Sequence, residues 1–232
     1  TGLKTNKYTN FIFIPRTITH NEHEFIITEV SEGAFEGTAL IHTVLFSYDS
    51  EVKIIGKNSF ARSSLHEIYF HSKVNEIGEN VFSNCKNLQL VSFSSNSNLC
   101  IIGKNAFYGT NMPRINIPKS VMQINDSAFD STNLEEIRFD ENSMLEEIGY
   151  RSFANTKTSY FKIPKSVKKI SSDAFTSCNK MKEILIYKDS IVNSVQFNCP
   201  NAKINTYEEE SSYEEESSYE EESNSEEESI SE

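Results

Sequence analysis

Apolar positions recur along this chain with a period of 22 to 25 residues, and a phenylalanine marks the same place in each copy. Valine or isoleucine stands five residues before each phenylalanine, and another aliphatic residue stands eight before it. The seven copies are centred on Phe35, Phe60, Phe82, Phe107, Phe129, Phe153 and Phe175. A repeat of this length predicts a solenoid, because a single coil cannot bury its own apolar side and must stack on its neighbours.

A second apolar segment follows each phenylalanine by five or six residues and has the form L-x-x-I-x-F/I. Its alternating end is rich in β-branched and aromatic residues and therefore predicts a strand. Thr158 is the one polar residue in the first position of this segment. The stretch that leads into each phenylalanine, such as 56–60 or 103–107, is too short for an independent helix and is interpreted as a helical turn on the opposite side of the coil.

Together these elements predict a repeat solenoid of β-rich α/β class, with one short strand and one short helical turn in each of about seven coils. Partial coils are expected at both ends. Residues 12–15 resemble residues 115–118, and a last strand is expected around Ile204, although Pro200 stands where the next phenylalanine should be. The predicted domains are an N-terminal extension over 1–10, the solenoid over 11–206 and an acidic Tyr/Glu/Ser tail over 207–232.

The negative charge of the chain belongs to this tail. Of the 34 acidic residues, 13 are glutamates within 207–232, a segment that has no lysine or arginine and has Ile230 as its one aliphatic residue. Such a segment cannot bury enough surface to fold, so it is predicted to be disordered. Ser211, Ser217 and Ser225 each precede a glutamate by three residues, which favours phosphorylation by acid-directed kinases. The alternative is a tail that only keeps the protein soluble.

The rest of the chain is close to neutral and has no recognised catalytic motif. Residues 1–206 carry 22 basic and 21 acidic side chains, so no nucleic-acid partner is expected. No apolar run approaches the roughly 18 residues that a membrane span requires, so none is expected. The nucleophile-elbow, phosphate-loop, dinucleotide and zinc-protease motifs do not occur, and the protein is therefore expected to be neither an enzyme nor a holder of a cofactor.

Two histidines are weak candidates for a metal site. His42 and His66 follow the same column in successive coils, which places them roughly 5 Å apart on the strand side. A third ligand with suitable spacing is missing, and two surface histidines in a polar row are the simpler interpretation. The four cysteines have no metal-ligand spacing either. Cys85 and Cys178 share a position that holds Ser or Thr in other coils, which indicates packing.

The repeated coil resembles the BspA-like (Treponema pallidum type) leucine-rich repeats, in which a coil reads approximately I-P-x-S-V-x-x-I-G-x-x-A-F-x-x-C-x-x-L-x-x-I. The match is close over 117–129, 163–175 and 77–88, and the resemblance covers about residues 11–206. It implies a leucine-rich-repeat horseshoe. It also implies a cell-surface or secreted protein, similar to antigens of bacteria and mucosal protists that are implicated in adhesion, while a cytoplasmic location stays open.

Two hypotheses of function follow. The first is a non-enzymatic adhesion or recognition module that binds a protein or glycan, such as a host-cell or extracellular-matrix ligand, through its exposed strand face. The residues expected to face this ligand are Leu45, Tyr69, Ser92, Arg114, Asn116, Arg138, Lys162 and Leu185. The alternative is an intracellular leucine-rich-repeat scaffold whose acidic tail recruits basic partners.

Overall fold

The computed structural model describes residues 10–140 and 142–208, which wind into a parallel β-solenoid of about eight coils. One side of the stack consists of nine strands. They are β1 (Phe11–Ile14), β5 (Thr43–Phe46), β7 (Glu67–Phe70), β9 (Leu90–Phe93), β11 (Arg114–Ile117), β13 (Glu136–Phe139), β15 (Tyr160–Lys162), β17 (Glu183–Tyr187) and β18 (Lys203–Tyr207). The predicted repeat solenoid is confirmed, and so is a last strand around Ile204.

Seven of the coils also contain a second, shorter strand that the sequence pattern did not predict. These two-residue strands form a continuous parallel ladder of seven on another side of the stack. They are β4 (Glu29–Val30), β6 (Ile54–Ile55), β8 (Glu76–Ile77), β10 (Ile101–Ile102), β12 (Gln123–Ile124), β14 (Glu147–Ile148) and β16 (Lys169–Ile170). Their second residues form the aliphatic column five before each phenylalanine, and all seven are buried.

The phenylalanine column forms the centre of the core. Six of its seven members, from Phe60 to Phe175, are fully buried, and Phe35 at the N-terminal end is half-buried. Successive rings stack with centroids 5.1 to 5.9 Å apart and planes within 16° of parallel. This distance is close to the spacing between adjacent strands, so the coil repeat itself sets the ring stacking.

The predicted helical turn beside each phenylalanine is wrong, because the described residues contain no helix. Residues with positive φ stand two before and two after each ring from Phe35 to Phe153, as Asn105 (φ 53°) and Gly109 (φ 66°) do around Phe107, and at Ser177 after Phe175. This alternation turns three N–H groups toward the next coil. Those of Asn105, Phe107 and Gly109 donate to carbonyl oxygens there at 3.0, 2.8 and 2.9 Å, in that order. The alternate N–H groups, those of Ala106, Tyr108 and Thr110, bond to carbonyls three residues earlier in the same coil, so isolated turns alternate with pairing between coils and no helix forms.

The polar residue in an apolar column is accommodated by its neighbours. Thr158 is fully buried, and its hydroxyl lies 3.0 Å from that of Thr156. Thr156 in turn lies 3.3 Å from the thiol of Cys178, which donates to the carbonyl of Phe153 at 3.1 Å. A small side chain, in most coils one with a hydrogen bond, thus suits the position that Thr156 and Cys178 share, as expected for Cys178 from the sequence.

The C-terminal coil differs from its predicted form. Phe197, three residues before Pro200, supplies the missing aromatic ring and meets Phe175 edge-on at 5.4 Å. Tyr207 belongs to β18, where it pairs in register with Tyr187, so the solenoid extends one residue beyond the predicted boundary at 206.

The predicted phosphorylation sites Ser211, Ser217 and Ser225, and nearly all of the predicted tail and N-terminal extension, lie outside the described residues.

A β-hairpin leaves the solenoid between β1 and β4. Its strands are β2 (Thr17–His20) and β3 (His23–Ile26), and they pair antiparallel across a two-residue turn. Asn21 and Glu22 in this turn both have positive φ, 51° and 65°, as a type I′ hairpin turn requires. The sequence pattern did not predict the hairpin.

Candidate binding surface

Two rows of side chains point outward from the nine long strands, because alternate residues of a strand face opposite sides. The first row contains Phe11, Thr43, Glu67, Leu90, Arg114, Glu136, Tyr160, Glu183 and Lys203. The second row contains Phe13, Leu45, Tyr69, Ser92, Asn116, Arg138, Lys162, Leu185 and Asn205. We call the surface formed by these two rows the strand face.

All eight residues predicted from the sequence to face a ligand lie on the strand face. Seven of them belong to the second row, and Arg114 belongs to the first. Six are exposed, while Ser92 and Leu185 are half-buried between their neighbours. The structure therefore places them on one surface, and their role in binding stays a prediction.

The N-terminal end of the strand face is apolar. Five residues there keep between 37% and 49% of their surface exposed: Phe11, Phe13, Leu45, Tyr69 and Leu90. Phe13 pairs in register with Leu45, and the same register continued by one residue brings Leu45 opposite Tyr69. We call these five residues the apolar cluster.

Sequence reasoning missed three members of this cluster, Phe11, Phe13 and Leu90. It followed mainly the second outward row, and it treated residues 12–15 only as a partial coil. The signal was available in the period-two alternation of the strands: Phe11 and Phe13 flank the buried Ile12, and Leu90 precedes the buried Val91.

Hydrogen bonds hold the ring of Tyr69 in place within the cluster. Its hydroxyl donates to Glu67 at 2.7 Å, and Glu67 also accepts from the hydroxyl of Thr43 in the preceding coil at 2.9 Å. The hydrogen bond to Glu67 is the main reason that the pKa of Tyr69 is raised. Tyr69 therefore stays neutral and offers a positioned aromatic ring to a ligand.

The C-terminal half of the strand face is charged, and two of its cations have partners there. Arg138 forms an ion pair with Glu136 on the same strand, with Nη2 and Oε1 2.5 Å apart. Lys162 lies above the ring of Tyr207, with its Nζ 4.2 Å from the ring centroid. The sequence interpretation considered both cations available to a ligand. It foresaw neither partner, because the contact of Arg138 depends on side-chain conformation and that of Lys162 depends on the position of a distant coil.

The two candidate metal-binding histidines are close together. The rings of His42 and His66 lie 4.4 Å apart between centroids, as the coil spacing predicted. The Nδ1 atom of His42 lies 3.2 Å from the side-chain amide of Asn10, and that of His66 donates to the carbonyl of Ser64 at 2.8 Å. No group of three metal-ligating side chains occurs in residues 10–140 and 142–208, so the pair is described here as a polar contact.

His71 follows β7 and lies half-buried beside Phe46, with ring centroids 5.2 Å apart. Its Nδ1 accepts from the backbone N–H of Lys73 at 3.2 Å, while its enclosed Nε2 has no hydrogen-bond partner among the described residues. Burial, followed by the charge of Lys73, lowers the pKa of His71 below its ordinary value, and the opposing effect of Glu51 is smaller. Folding therefore favours the neutral ring.

Acidification is expected to destabilise the protein through His71. In the unfolded chain this ring regains its ordinary pKa, so it takes up a proton at a higher pH than it does in the folded protein. The free energy of unfolding should therefore fall as the pH drops below about 6.5. Urea titrations at pH 7 and pH 5 measure this fall, which should be smaller in His71→Gln. An equal fall in both proteins would contradict a lowered pKa for His71.

Comparison with known proteins agrees with this architecture. The sequence matches the family model described as "BspA type Leucine rich repeat region" in six copies, over residues 9–101 and 100–226. The chain belongs to the BspA-type leucine-rich repeat family. No curated protein has a sequence that matches it significantly.

Two solved structures show the same fold. A leucine-rich repeat protein from Bacteroides ovatus is 20% identical, with a TM-score of 0.51 over 87% of this BspA-type chain and 65% of that one. The pneumococcal vaccine antigen PcpA is 18% identical, with a TM-score of 0.53 over 85% of this chain and 78% of that one. The chain thus spans slightly less than two thirds of the Bacteroides ovatus protein, and likeness at this identity concerns the fold alone.

Two further properties bear on the functions that this BspA-type solenoid supports. None of its described segments forms a helix that is long and apolar enough to cross a membrane. Burial raises the pKa of the thiols of Cys85 and Cys178, which keeps both in the protonated form. A protonated buried thiol is a poor nucleophile, so these cysteines act as packing residues, as the sequence indicated.

Proposed function

We propose that this protein is a non-enzymatic recognition module, secreted or displayed on a cell surface, that binds a protein or glycan ligand through its strand face. Host-cell or extracellular-matrix molecules are the proposed ligands. The observation that carries the proposal is the apolar cluster, an exposed group of two phenylalanines, a tyrosine and two leucines on adjacent strands.

The composition of the cluster supports binding. Scattered exposed apolar residues are ordinary, but adjacent ones that include aromatic rings are characteristic of interaction sites. Tyrosine and phenylalanine supply a large contact area at low cost in side-chain entropy, and they often form the centre of protein interfaces. The Glu67 hydrogen bond positions Tyr69 before a ligand arrives, which lowers the cost of binding further.

The rest of the strand face supports specificity. Beyond the apolar cluster it presents Asn116, the opposed pair Arg114 and Glu136, and Arg138. Polar groups around an apolar centre are the usual arrangement of a protein interface. The family membership supports a scaffold for binding, and PcpA, which shares the fold, is named as a vaccine antigen. The cell-surface assignment is part of the proposal and rests on this similarity.

Removal of the apolar cluster is expected to abolish most binding without unfolding the protein. Replacement of Phe13, Leu45 and Tyr69 together by Ala should weaken binding to arrayed extracellular-matrix proteins and glycans at least about tenfold, because central aromatic residues each contribute roughly 1–2 kcal/mol or more. Thermal unfolding should change little, since all three side chains are exposed. Tyr69→Phe, which keeps the ring, should retain most of the affinity.

A matched control removes equally exposed apolar residues from other sides of the solenoid. Ile54, Met144 and Tyr150 are 38% to 52% exposed and lie outside the strand face, so their joint replacement by Ala should leave binding unchanged. A third variant, Arg138→Ala with Lys162→Ala, tests the charged half. If the control variant or the charged-half variant lost binding while the cluster variant retained it, the apolar cluster would not be the site.

A further inference from the structure

Charge is separated along the axis of the solenoid. Residues 10–150 carry 10 basic and 18 acidic side chains, a net charge of −8. Residues 151–207 carry 10 basic and 3 acidic side chains, a net charge of +7. A solenoid places its residues along its axis in chain order, so the N-terminal part of the solenoid is negatively charged and its C-terminal end is positively charged. The near-neutral total hides a basic C-terminal end.

Several of the basic side chains lie on or beside the last strands of the strand face. Lys162 projects from β15, Lys182 directly precedes β17, Lys188 follows β17 and Lys203 begins β18. All four are exposed. We call these four residues the basic end. Arg151, Lys168 and Lys169 in the same coils form ion pairs with acidic residues of the preceding coil.

The chain passes through this basic end as it leaves the solenoid. Tyr207 receives Lys162 on its ring face and donates its hydroxyl to the carbonyl of Ile163 at 3.0 Å. Glu208 forms an ion pair with Lys188, with Nζ and Oε1 2.7 Å apart. These two residues are also the first Tyr-Glu of a sequence that repeats Tyr-Glu-Glu-Glu at 213 and 219. The basic end therefore already holds the Tyr-Glu that begins the first copy of the repeated unit.

We propose that the acidic segment 208–232 binds to the basic end of its own solenoid and covers the last strands of the strand face. The proposal joins the charge separation, the two observed contacts and the composition of the segment, which has 13 glutamates and no basic residue. It does not depend on the identity of any external ligand.

The length of the segment fits this site. The segment has 25 residues, and random-coil scaling gives a chain of that length a span of roughly 25–30 Å. Coils are about 5 Å apart, so the segment reaches over about five coils from β18, as far as the strands that carry the basic end. Because the segment is attached at the site, its effective concentration there is in the millimolar range, which makes individually weak ion pairs sufficient.

Cross-linking of the intact chain tests where the segment lies. A zero-length carbodiimide reagent joins carboxylates to amines that are in contact, and mass spectrometry identifies the pairs. At low ionic strength, links from residues 209–232 should favour Lys162, Lys182 and Lys203 over Lys104 and Lys119, which are also exposed, several-fold. At about 1 M salt, where the screening length is about 3 Å, this preference should disappear.

Matched charge reversals provide the second measurement. Nuclear magnetic resonance measures the transverse relaxation rates of the amides in 209–232, which are high when the segment is held on the solenoid. Replacing Lys162, Lys182 and Lys203 together by Glu should reduce these rates several-fold in the full chain. Lys53→Glu, Lys104→Glu and Lys119→Glu change the net charge equally on the acidic coils and should leave the rates unchanged. Thermal unfolding of both variants checks that the solenoid persists, and the salt dependence of the rates in the parent gives the same test without mutation.

Three results would overturn the proposal. Cross-links spread evenly over all lysines would mean that the segment has no preferred site on the body. Equal relaxation rates in the parent and in both reversal variants would mean that the basic end does not hold it. Cross-links found only between labelled and unlabelled copies in a mixture would assign the basic end to the segment of a second chain.

Discussion

Phe129→Ala is expected to lower the free energy of unfolding by about 3–5 kcal/mol, the range observed when a fully buried aromatic side chain is removed. Phe129 is fully buried, and its ring stacks on Phe107 at 5.2 Å and on Phe153 at 5.3 Å, with planes within 4° of parallel. The cavity cannot close, because the backbones on both sides are joined by hydrogen bonds between coils. The substitution therefore loses burial and stacking together.

Urea unfolding followed by far-ultraviolet circular dichroism measures this loss. Phe35→Ala provides the graded control, because Phe35 is half-buried and stacks on Phe60 at the N-terminal end of the column. Its loss should be clearly smaller. A change below about 1 kcal/mol for Phe129→Ala would mean that the phenylalanine column does not form the core, since such a value is typical of surface positions.

Gly103→Ala is expected to destabilise the protein by about 1–3 kcal/mol or more, although it adds a single methyl group. A Cβ at this position would lie 2.6 Å from the carbonyl carbon of Gly78 and 2.7 Å from the carbonyl oxygen of Ile77. Both are backbone atoms of the adjacent coil. They cannot move aside singly, because the N–H of Gly103 donates to the Ile77 carbonyl at 2.8 Å. Relief would require the two coils to separate locally.

The same unfolding measurement compares Gly103→Ala with Lys104→Ala. Lys104 is the next residue and is exposed, so its replacement should change the free energy of unfolding by less than about 0.5 kcal/mol. If Gly103→Ala changed the free energy of unfolding as little as Lys104→Ala, the inference that the coils approach closely at Gly103 would be wrong. Gly103 is required because the backbone of the adjacent coil lies too close for a Cβ atom. Gly109 differs, because its backbone has a positive φ.

The sequence was sufficient to predict the solenoid because its signals repeat. A column such as Ile55, Ile77 and Ile102 is ambiguous in one copy and becomes specific when seven copies share it. Prediction failed for the turns, where the short segments before each phenylalanine were interpreted as helical turns. The contrary signal was the recurrence of Asn or Gly at most of the positions two residues from the rings, as at Asn80 and Asn84, because these residues tolerate positive φ.

The candidate surface was predictable in outline and incomplete in detail. Alternation along the strands correctly indicated that the side chains of Tyr69 and Arg138 point outward. It could not indicate that Arg138 is paired with Glu136 or that Lys162 lies over Tyr207, because such contacts depend on side-chain conformation and on pairing between distant coils. The unequal charges of the two parts of the chain can be counted in the sequence. They describe a separation of charge in space only because a solenoid arranges its residues along its axis in chain order.

The most direct test of the proposed function is oxidative footprinting of exposed side chains, with and without the ligand that the arrays identify. Hydroxyl radicals modify exposed aromatic and aliphatic residues, and a bound ligand protects those that it covers. We expect the ligand to reduce oxidation of Phe13 and Tyr69 several-fold, while Tyr48 and Tyr150, which are exposed outside the strand face, remain unchanged. Protection of Tyr48 or Tyr150 with undiminished oxidation of Phe13 and Tyr69 would contradict binding through the strand face.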